Sequence, residues 1–287
     1  MTMPTQRLRE LLSGPSCITM PCCYDALSAK LIERAGFPLT FMSGFAVSAA
    51  RLALPDTGLI SFGEMLDQAG TIARAVNIPV IGDGDTGYGN ALNVKRTVRE
   101  YAAAGLACIM IEDQVAPKRC GHTRGKEVVG FAEACRRLEA AVDAREEGAD
   151  ILIMARTDAR ATAGVDEAIR RIRRFREIGA DILFLEAPES VAEMQAFCAC
   201  CDGPKMANML ENGKTPILSP TMLTEMGFKI AAYPLTLLLA LLPAVEQALV
   251  ALHRGEPPAQ LCTFEHLQDV VGFPQYYQEE KRYQVSG

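Results

Sequence analysis

Basic patches are missing from this chain. Its 29 Lys+Arg against 35 Asp+Glu leave a formal net charge of −6, and no segment gathers lysine and arginine into a stripe. That argues against an electrostatic footprint for nucleic acid and leaves a small molecule as the expected partner. Long apolar runs are missing too. No segment gives 18 uninterrupted apolar residues, and the N-terminal MTMPTQRLRELL has no apolar h-region, so neither a membrane span nor export is expected, and a cytoplasmic protein is. Zinc spacing is also absent. Ten cysteines are scattered through the chain, several inside apolar runs where a reduced cysteine acts as a small hydrophobe, and free thiols are expected. The cluster CACC, with Cys198, Cys200 and Cys201, has no second Cys/His pair nearby and reads as a helix end.

What is present is a repeat. With 287 residues and 49% hydrophobic composition, the chain can bury one large core, and a single domain over 1–287 with a helical tail from about 255 is expected. A charged amphipathic run ending at glycine, then a short apolar strand, recurs in IERAGFPLTFMSG, YAAAGLACIMIED, REEGADILIMART, REIGADILFLEAP and TEMGFKIAAYP. Glycines 36, 105, 148, 179 and 227 stand where helix C-caps fall. SCITMPCC, NIPVIGDGD and PKMANM bring the count to about eight strands separated by helix-length segments. Continuous apolar strands imply a sheet buried on both faces, and helical crossovers imply parallel order. Eight units point to a (β/α)8 barrel. A doubly wound open sheet is the alternative, but GDGDTGYGN follows its strand without GxGxxG spacing.

Catalytic groups of such a barrel gather at the C-terminal strand ends. Here those ends are polar: Tyr24-Asp25, Ser43-Gly44, Asp83 and Asp85, Glu112-Asp113, Arg156-Thr157-Asp158, Glu186 and Asn208. Any one of them serves equally well as a helix cap. Together they crowd carboxylates onto one rim, where repulsion calls for a cation, and oxygen donors select a hard ion, Mg²⁺ or Mn²⁺. Asp83 and Asp85 lie two apart, on one face of an extended segment.

GDGDTGYGN followed by IEDQVAPKRCGH, with MARTDA, FLEAP, NMLENGKTP and AAYPLT beyond, resembles the isocitrate lyase and phosphoenolpyruvate mutase superfamily over nearly the whole chain. The resemblance implies a (β/α)8 barrel whose eighth helix is exchanged between subunits, usually in a homotetramer of swapped dimers, with the tail GFPQYYQEEKRYQ packing near it. It implies that Asp83 binds Mg²⁺ directly, and that Asp56, Asp85 and Glu112 hold metal-bound water. Tyr24, Ser43 and Gly44 match groups that bind the 2-oxo acid half of the ligand. Arg156 matches an arginine for a substrate carboxylate, and Glu186 and Asn208 match further pocket positions. Cys120 matches the lyase cysteine on a mobile loop, expected over about Gln114 to Gly130.

In such a lyase a 2-hydroxy dicarboxylate or tricarboxylate chelates the metal, and retro-aldol cleavage releases a 2-oxo acid such as pyruvate. The other fragment leaves as an enediolate that must be protonated on carbon. A thiol of reference pKa about 8.5 carries that proton at neutral pH. Lys118, Arg119 and His122 form the expected cage for the enediolate charge, His122 serving equally well as a loop-positioning group, while His253 and His266 read as structural. The phosphonate-processing branch lacks KRCGH, and 287 residues leave no room for the insertion of full-length isocitrate lyases. GHTRGKEVV looks like the dimethylmalate and oxaloacetate members, and Pro234 in AAYPLT resembles the proline of the carbon-carbon lyases where oxaloacetate-hydrolysing members place serine. The expected substrate is of the 2,3-dimethylmalate or 2-methylisocitrate type. Oxaloacetate hydrolysis or decarboxylation is the alternative, with a phosphonomutase or a non-catalytic oxo-acid-binding barrel behind it.

Overall fold

The structure is a computed structural model that describes residues 3–120 and 125–284. A first helix, α1 (Pro4–Ser13), precedes eight strands: β1 (Ile18–Cys23), β2 (Thr40–Met42), β3 (Val80–Asp83), β4 (Cys108–Glu112), β5 (Leu152–Thr157), β6 (Ile182–Leu185), β7 (Lys205–Asn208) and β8 (Ile230–Tyr233). Each pairs in parallel with its neighbour, and β8 returns to β1 with Ile18 opposite Ile230, closing the expected (β/α)8 barrel. Between strands run α2 (Ala26–Arg34), α3 (Gly44–Val47) with a π-helical turn (Ser48–Leu52), α4 (Phe62–Ala75), α5 (Ala91–Ala103), α6 (Phe131–Glu146), α7 (Arg160–Ala163), α8 (Val165–Ile178), α9 (Val191–Ala199) and α10 (Pro220–Met226).

Local chemistry sets the helix ends. Ser61 and Glu64 cap α4 reciprocally, the Ser61 amide donating to Glu64 Oε2 at 2.8 Å, and Asp25 with Ser28 does the same for α2. The five glycines expected as C-caps all take positive φ, from 86° at Gly36 to 120° at Gly179. Cys200 caps the end of α9, so CACC is a helix end as expected, and all ten cysteines are free.

Side chains alternate along each strand, and one set fills the barrel. Met20 and Cys22, Phe41, Ile81, Cys108 and Met110, Leu152 and Met154, Ile182 and Phe184, Met206, and Ile230 and Ala232 belong to one buried cluster, whose N-terminal end is plugged by Leu8 and Leu12 of α1.

Two compact units divide the chain, Met1–Thr236 and Leu237–Gly287; the helical tail read from about 255 in the sequence thus falls inside a unit that begins earlier. The second unit comprises α11 (Thr236–His253), which opens on the last residue of the first, then α12 (Phe264–Val271) and α13 (Phe273–Arg282). Within α11, Leu242, Leu249, Val250 and Leu252 are exposed. By length and composition α11 is the one helix among the described residues able to cross a membrane, at a mean hydropathy of 1.6; Glu246 interrupts its apolar surface.

Candidate active site

The alternation that fills the barrel also builds its rim. Two residues beyond the last core side chain of each strand, the same face is presented again, now above the core. From Cys22 that step reaches Tyr24, from Phe41 Ser43, from Ile81 Asp83, and from Met110 Glu112. From Met154 it reaches Arg156, from Phe184 Glu186, from Met206 Asn208, and from Ala232 Pro234. Each strand therefore carries an expected site residue at its C-terminal end, and six of the eight, all but Tyr24 and Glu112, line one cavity. A cavity of about 590 Å³, its open mouth included, lies there, lined among others by Ser43, Asp56, Asp83, Lys118, Cys120, Arg156, Glu186, Asn208 and Pro234. Tyr24, Gly44, Asp85, Glu112 and Arg119 are not in its wall, and His122 lies outside the described residues.

Asp83 is held by backbone. The amide of Gly44 donates to its Oδ2 at 3.1 Å and that of Asp85 to its Oδ1 at 3.0 Å, while Tyr101 Oη donates to its carbonyl at 2.8 Å. Gly44 has to be glycine for this approach, since a Cβ there would lie 2.5 Å from Asp83 Oδ2. Burial and neighbouring Asp85 raise the Asp83 carboxyl above the usual carboxylate range.

Lys118 is the cation among these acids. It is 6% exposed, and its Nζ lies 2.6 Å from Asp56 Oδ1 and 2.9 Å from Asp85 Oδ1. Burial alone would lower its pKa, but Asp85, Asp83, Asp56 and Glu112 outweigh burial and hold the ammonium well above the ordinary lysine value. Burial also pushes Glu112 well up, and its Oε1 is buried with no hydrogen-bond partner among the described residues.

An orphaned carboxylate oxygen beside three further acids fits a hard divalent cation. No three Asp, Glu, His or Cys side chains among the described residues are spaced to coordinate one ion directly.

Arg156 faces the cavity from β5. Its Nε and Nη2 bond Asp158 at 2.8 and 3.0 Å, Glu112 and Glu186 lie 3.3 and 3.4 Å away, and the guanidinium stacks 5.4 Å from the Phe184 ring centroid. Asn208 Nδ2 donates to Glu186 Oε1 at 3.3 Å. Behind this layer Asp113 accepts from Thr157 Oγ1 (2.6 Å), the Asp158 amide (2.9 Å) and Arg171 Nη1 of α8 (2.9 Å).

The loop after β4 is pinned at both stems. Val115 N donates to Glu127 O and Val129 N to Asp113 O, both at 2.9 Å, and Gln114 exchanges two hydrogen bonds with the Arg119 backbone. The Arg119 residue is exposed, whereas Cys120 is half-buried on the cavity wall. Lys126, in the exit stem, reaches Asp158 Oδ1 at 2.8 Å. The loop after β2 packs on the same segment: a Cβ on Gly58 would meet Pro117 Cβ at 2.9 Å.

Sequence reasoning did not single out Lys126, Arg171 or Gly58, nor the apolar wall of Phe45, Leu210 and Leu235. Lys126 alone carried a signal, a lysine inside the GHTRGKEVV stretch after the reactive group.

Comparison with known proteins returns the same architecture. A family model described as phosphoenolpyruvate phosphomutase matches residues 8–253. The chain is 42% identical over 281 residues to 2,3-dimethylmalate lyase of Eubacterium barkeri, spanning 96% of this chain and 97% of that one. It is 41% identical over 279 residues to 2-methylisocitrate lyase of Aeropyrum pernix, spanning 96% and 88%. A solved oxaloacetate acetylhydrolase in complex with 3,3-difluorooxalacetate superposes with a TM-score of 0.93 at 34% identity, covering 97% of this chain and 96% of that one. With a family match over most of its length and relatives above 40% identity along nearly all of it, this chain belongs to the phosphoenolpyruvate phosphomutase family.

Proposed function

We propose that the protein is a divalent-cation-dependent carbon-carbon lyase that cleaves a 2-hydroxy dicarboxylate or tricarboxylate, of the 2,3-dimethylmalate or 2-methylisocitrate type, into a 2-oxo acid and a second carboxylic acid. The observation that carries this reading is the joint presence, on one cavity wall, of Asp83, Arg156 and the Cys120 thiol. Asp83, with Asp56, Asp85 and Glu112, would hold Mg²⁺ or Mn²⁺. When bound, the cation polarises the C2 hydroxyl and its neighbouring carboxylate and makes the hydroxyl proton more acidic. Ser43, Tyr24 and the Gly44 backbone bind the 2-oxo acid half. Arg156 pairs with a substrate carboxylate, and Glu186 and Asn208 complete that wall.

The C2–C3 bond breaks as the hydroxyl proton is lost, leaving a carbonyl at C2 and the electron pair on C3. Cys120 gives its S–H proton to C3 as general acid; the hydroxyl proton passes to a carboxylate at the barrel mouth and on to solvent, and solvent returns a proton to the thiolate, so that the cycle balances. Lys118 adds positive charge for the developing enediolate; Arg119 and His122 complete the proposed cage from the loop.

Phe45, Leu210, Pro234 and Leu235 line the remaining wall. An apolar wall suits alkyl substituents and keeps water from the carbanion, which supports a substituted malate. Oxaloacetate hydrolysis or decarboxylation is the second reading, favoured by the likeness to the oxaloacetate acetylhydrolase structure. Ten free thiols support a reducing cytoplasm. The exposed leucines of α11 support a homotetramer in which a second copy covers that helix.

A panel of 2-methylisocitrate, 2,3-dimethylmalate, oxaloacetate and phosphonopyruvate, assayed with Mg²⁺ for pyruvate and oxalate, tests the assignment. Release of pyruvate from a substituted malate or from methylisocitrate is expected. Oxalate from oxaloacetate alone would replace this reading with the second.

A further inference from the structure

The turn from α9 into β7 carries the cysteine cluster that the function above leaves unused. Cys198, Cys200 and Cys201 lie just ahead of β7, at the opposite end of that strand from Asn208 and the barrel mouth. All three are half-buried, whereas Cys22, Cys23, Cys108 and Cys135 are buried. The Sγ atoms of Cys200 and Cys201 stand 3.6 Å apart. A disulfide holds its sulfurs at about 2.05 Å, well inside this separation. Two sulfurs at about 2.3 Å from one shared tetrahedral atom stand about 3.8 Å apart, and slightly closer on a pyramidal one. The observed spacing therefore fits a single bridging thiophilic atom.

Backbone contacts hold the pair in place. Arg173 Nε donates to the Cys200 carbonyl at 3.1 Å, and the buried Lys205 Nζ donates to the carbonyls of Cys201 and Gly203 at 2.5 and 3.2 Å. Phe197, fully buried with its ring centroid 5.8 Å from that of Phe228, anchors the helix end just before them. Thiols already held at bridging distance lose little freedom on capture. The surroundings also favour a thiolate. With the Cys200 S–H donating to it, and with Lys205 and Arg176 nearby, the Cys201 thiol is held below the ordinary cysteine value.

The neighbours limit what fits between these sulfurs. No three Cys, His, Asp or Glu side chains among the described residues are grouped to hold a metal ion, so a structural zinc lacks its ligands here. A trivalent arsenical with one organic substituent needs only two sulfurs, because its third bond is to its own carbon. We propose that Cys200 and Cys201 form a dithiol site for monosubstituted trivalent arsenicals, R–As=O. Two As–S bonds form and the arsenic–oxygen bond breaks; the oxygen leaves as water with both thiol protons, and arsenic stays trivalent. The site is independent of the lyase reading.

The test titrates phenylarsine oxide into the full-length protein in excess 2-mercaptoethanol, which strips arsenic from single thiols. The protein is then unfolded in N-ethylmaleimide, digested with trypsin, and the peptide from Glu177 to Lys205 is weighed. The wild-type peptide is expected to carry one arsenic and one maleimide, on Cys198, and 2,3-dimercaptopropanol added beforehand should restore all three maleimides. Cys200→Ser and Cys201→Ser are each expected to bind at least about 100-fold more weakly, because the second As–S bond forms within the same molecule. Cys198→Ser and Cys120→Ser should bind as the wild type does. Three maleimides on the arsenic-treated wild-type peptide, wild-type affinity in Cys200→Ser or Cys201→Ser, or loss of binding in Cys198→Ser or Cys120→Ser would each overturn the proposal. The peptide result comes from the wild type and decides the matter even where a serine variant does not fold.

Discussion

Replacing Arg171 with methionine removes one side of a buried ion pair far from solvent. Arg171 and Asp113 are 6% and 2% exposed, and Nη1 bonds Asp113 Oδ2 at 2.9 Å. Methionine fills most of the stem volume, so the loss is chiefly that of an uncompensated carboxylate, which costs about 3–5 kcal/mol. Glu167, the other partner of Arg171, keeps two bonds from Arg170 and adds little. For a chain of this size each kcal/mol moves Tm by about 2–4 °C, so thermal unfolding followed by fluorescence should show a fall of roughly 6–20 °C. Asp113→Asn in the same background removes the stranded charge and should recover about half the loss. Because Asp113 also positions Thr157 and the Asp158 amide, KM should rise in the single variant. A Tm within about 2 °C of wild type, or two substitutions whose losses simply add, would refute the claim that this pair is the inner brace of the β5 rim.

Asp83→Ala should abolish turnover and leave a folded protein, because the carboxylate acts at the rim; full activity in chelator-treated protein would contradict the cation's role. Cys120→Ser should keep fold and oxalate binding and lose most of the rate, since a hydroxyl is a far weaker acid than a thiol. Mass spectrometry of enzyme quenched during turnover should find no adduct on Cys120, and finding one would make it a nucleophile. Gly58→Ala, at φ +74° with Pro117 Cβ 2.9 Å from the new methyl, should unseat the β4 loop and speed its proteolysis while costing about 1–2 kcal/mol; an unchanged cleavage pattern would count against that packing.

The rim was legible because the barrel repeats the two-residue period of its strands. Once apolar runs ending in Asp83, Glu112, Arg156, Glu186 and Asn208 are read as parallel strands, their ends must share one mouth. The glycine caps were legible for the same local reason. The bracing was not. Lys126 meets Asp158 across 32 positions, Asp113 meets Arg171 across 58, and no spacing rule links residues on a loop, a strand end and a helix. The sequence reading named Lys118 for the departing carboxylate without its partners; its ammonium sits between Asp56 and Asp85, a placement fixed by how deeply the loop folds in. The boundary at 236–237 was equally hidden, because α11 follows β8 directly, as each barrel helix follows its strand, and only its exposure sets it apart.

The pairing of Ile18 with Ile230 has a temporal consequence during synthesis. The first strand leaves the ribosome with one edge open, and the strand that covers it follows only after roughly 200 more residues, a wait of about 10–40 s at ordinary elongation rates. Throughout that interval a nascent chain exposes unpaired backbone on β1, a template for pairing with other chains. Fragments that stop before Tyr233 inherit the open edge permanently. Nascent chains should therefore engage chaperones until β8 emerges, and a rotated gene order that begins between two interior strands would move the vulnerable seam without altering the finished enzyme.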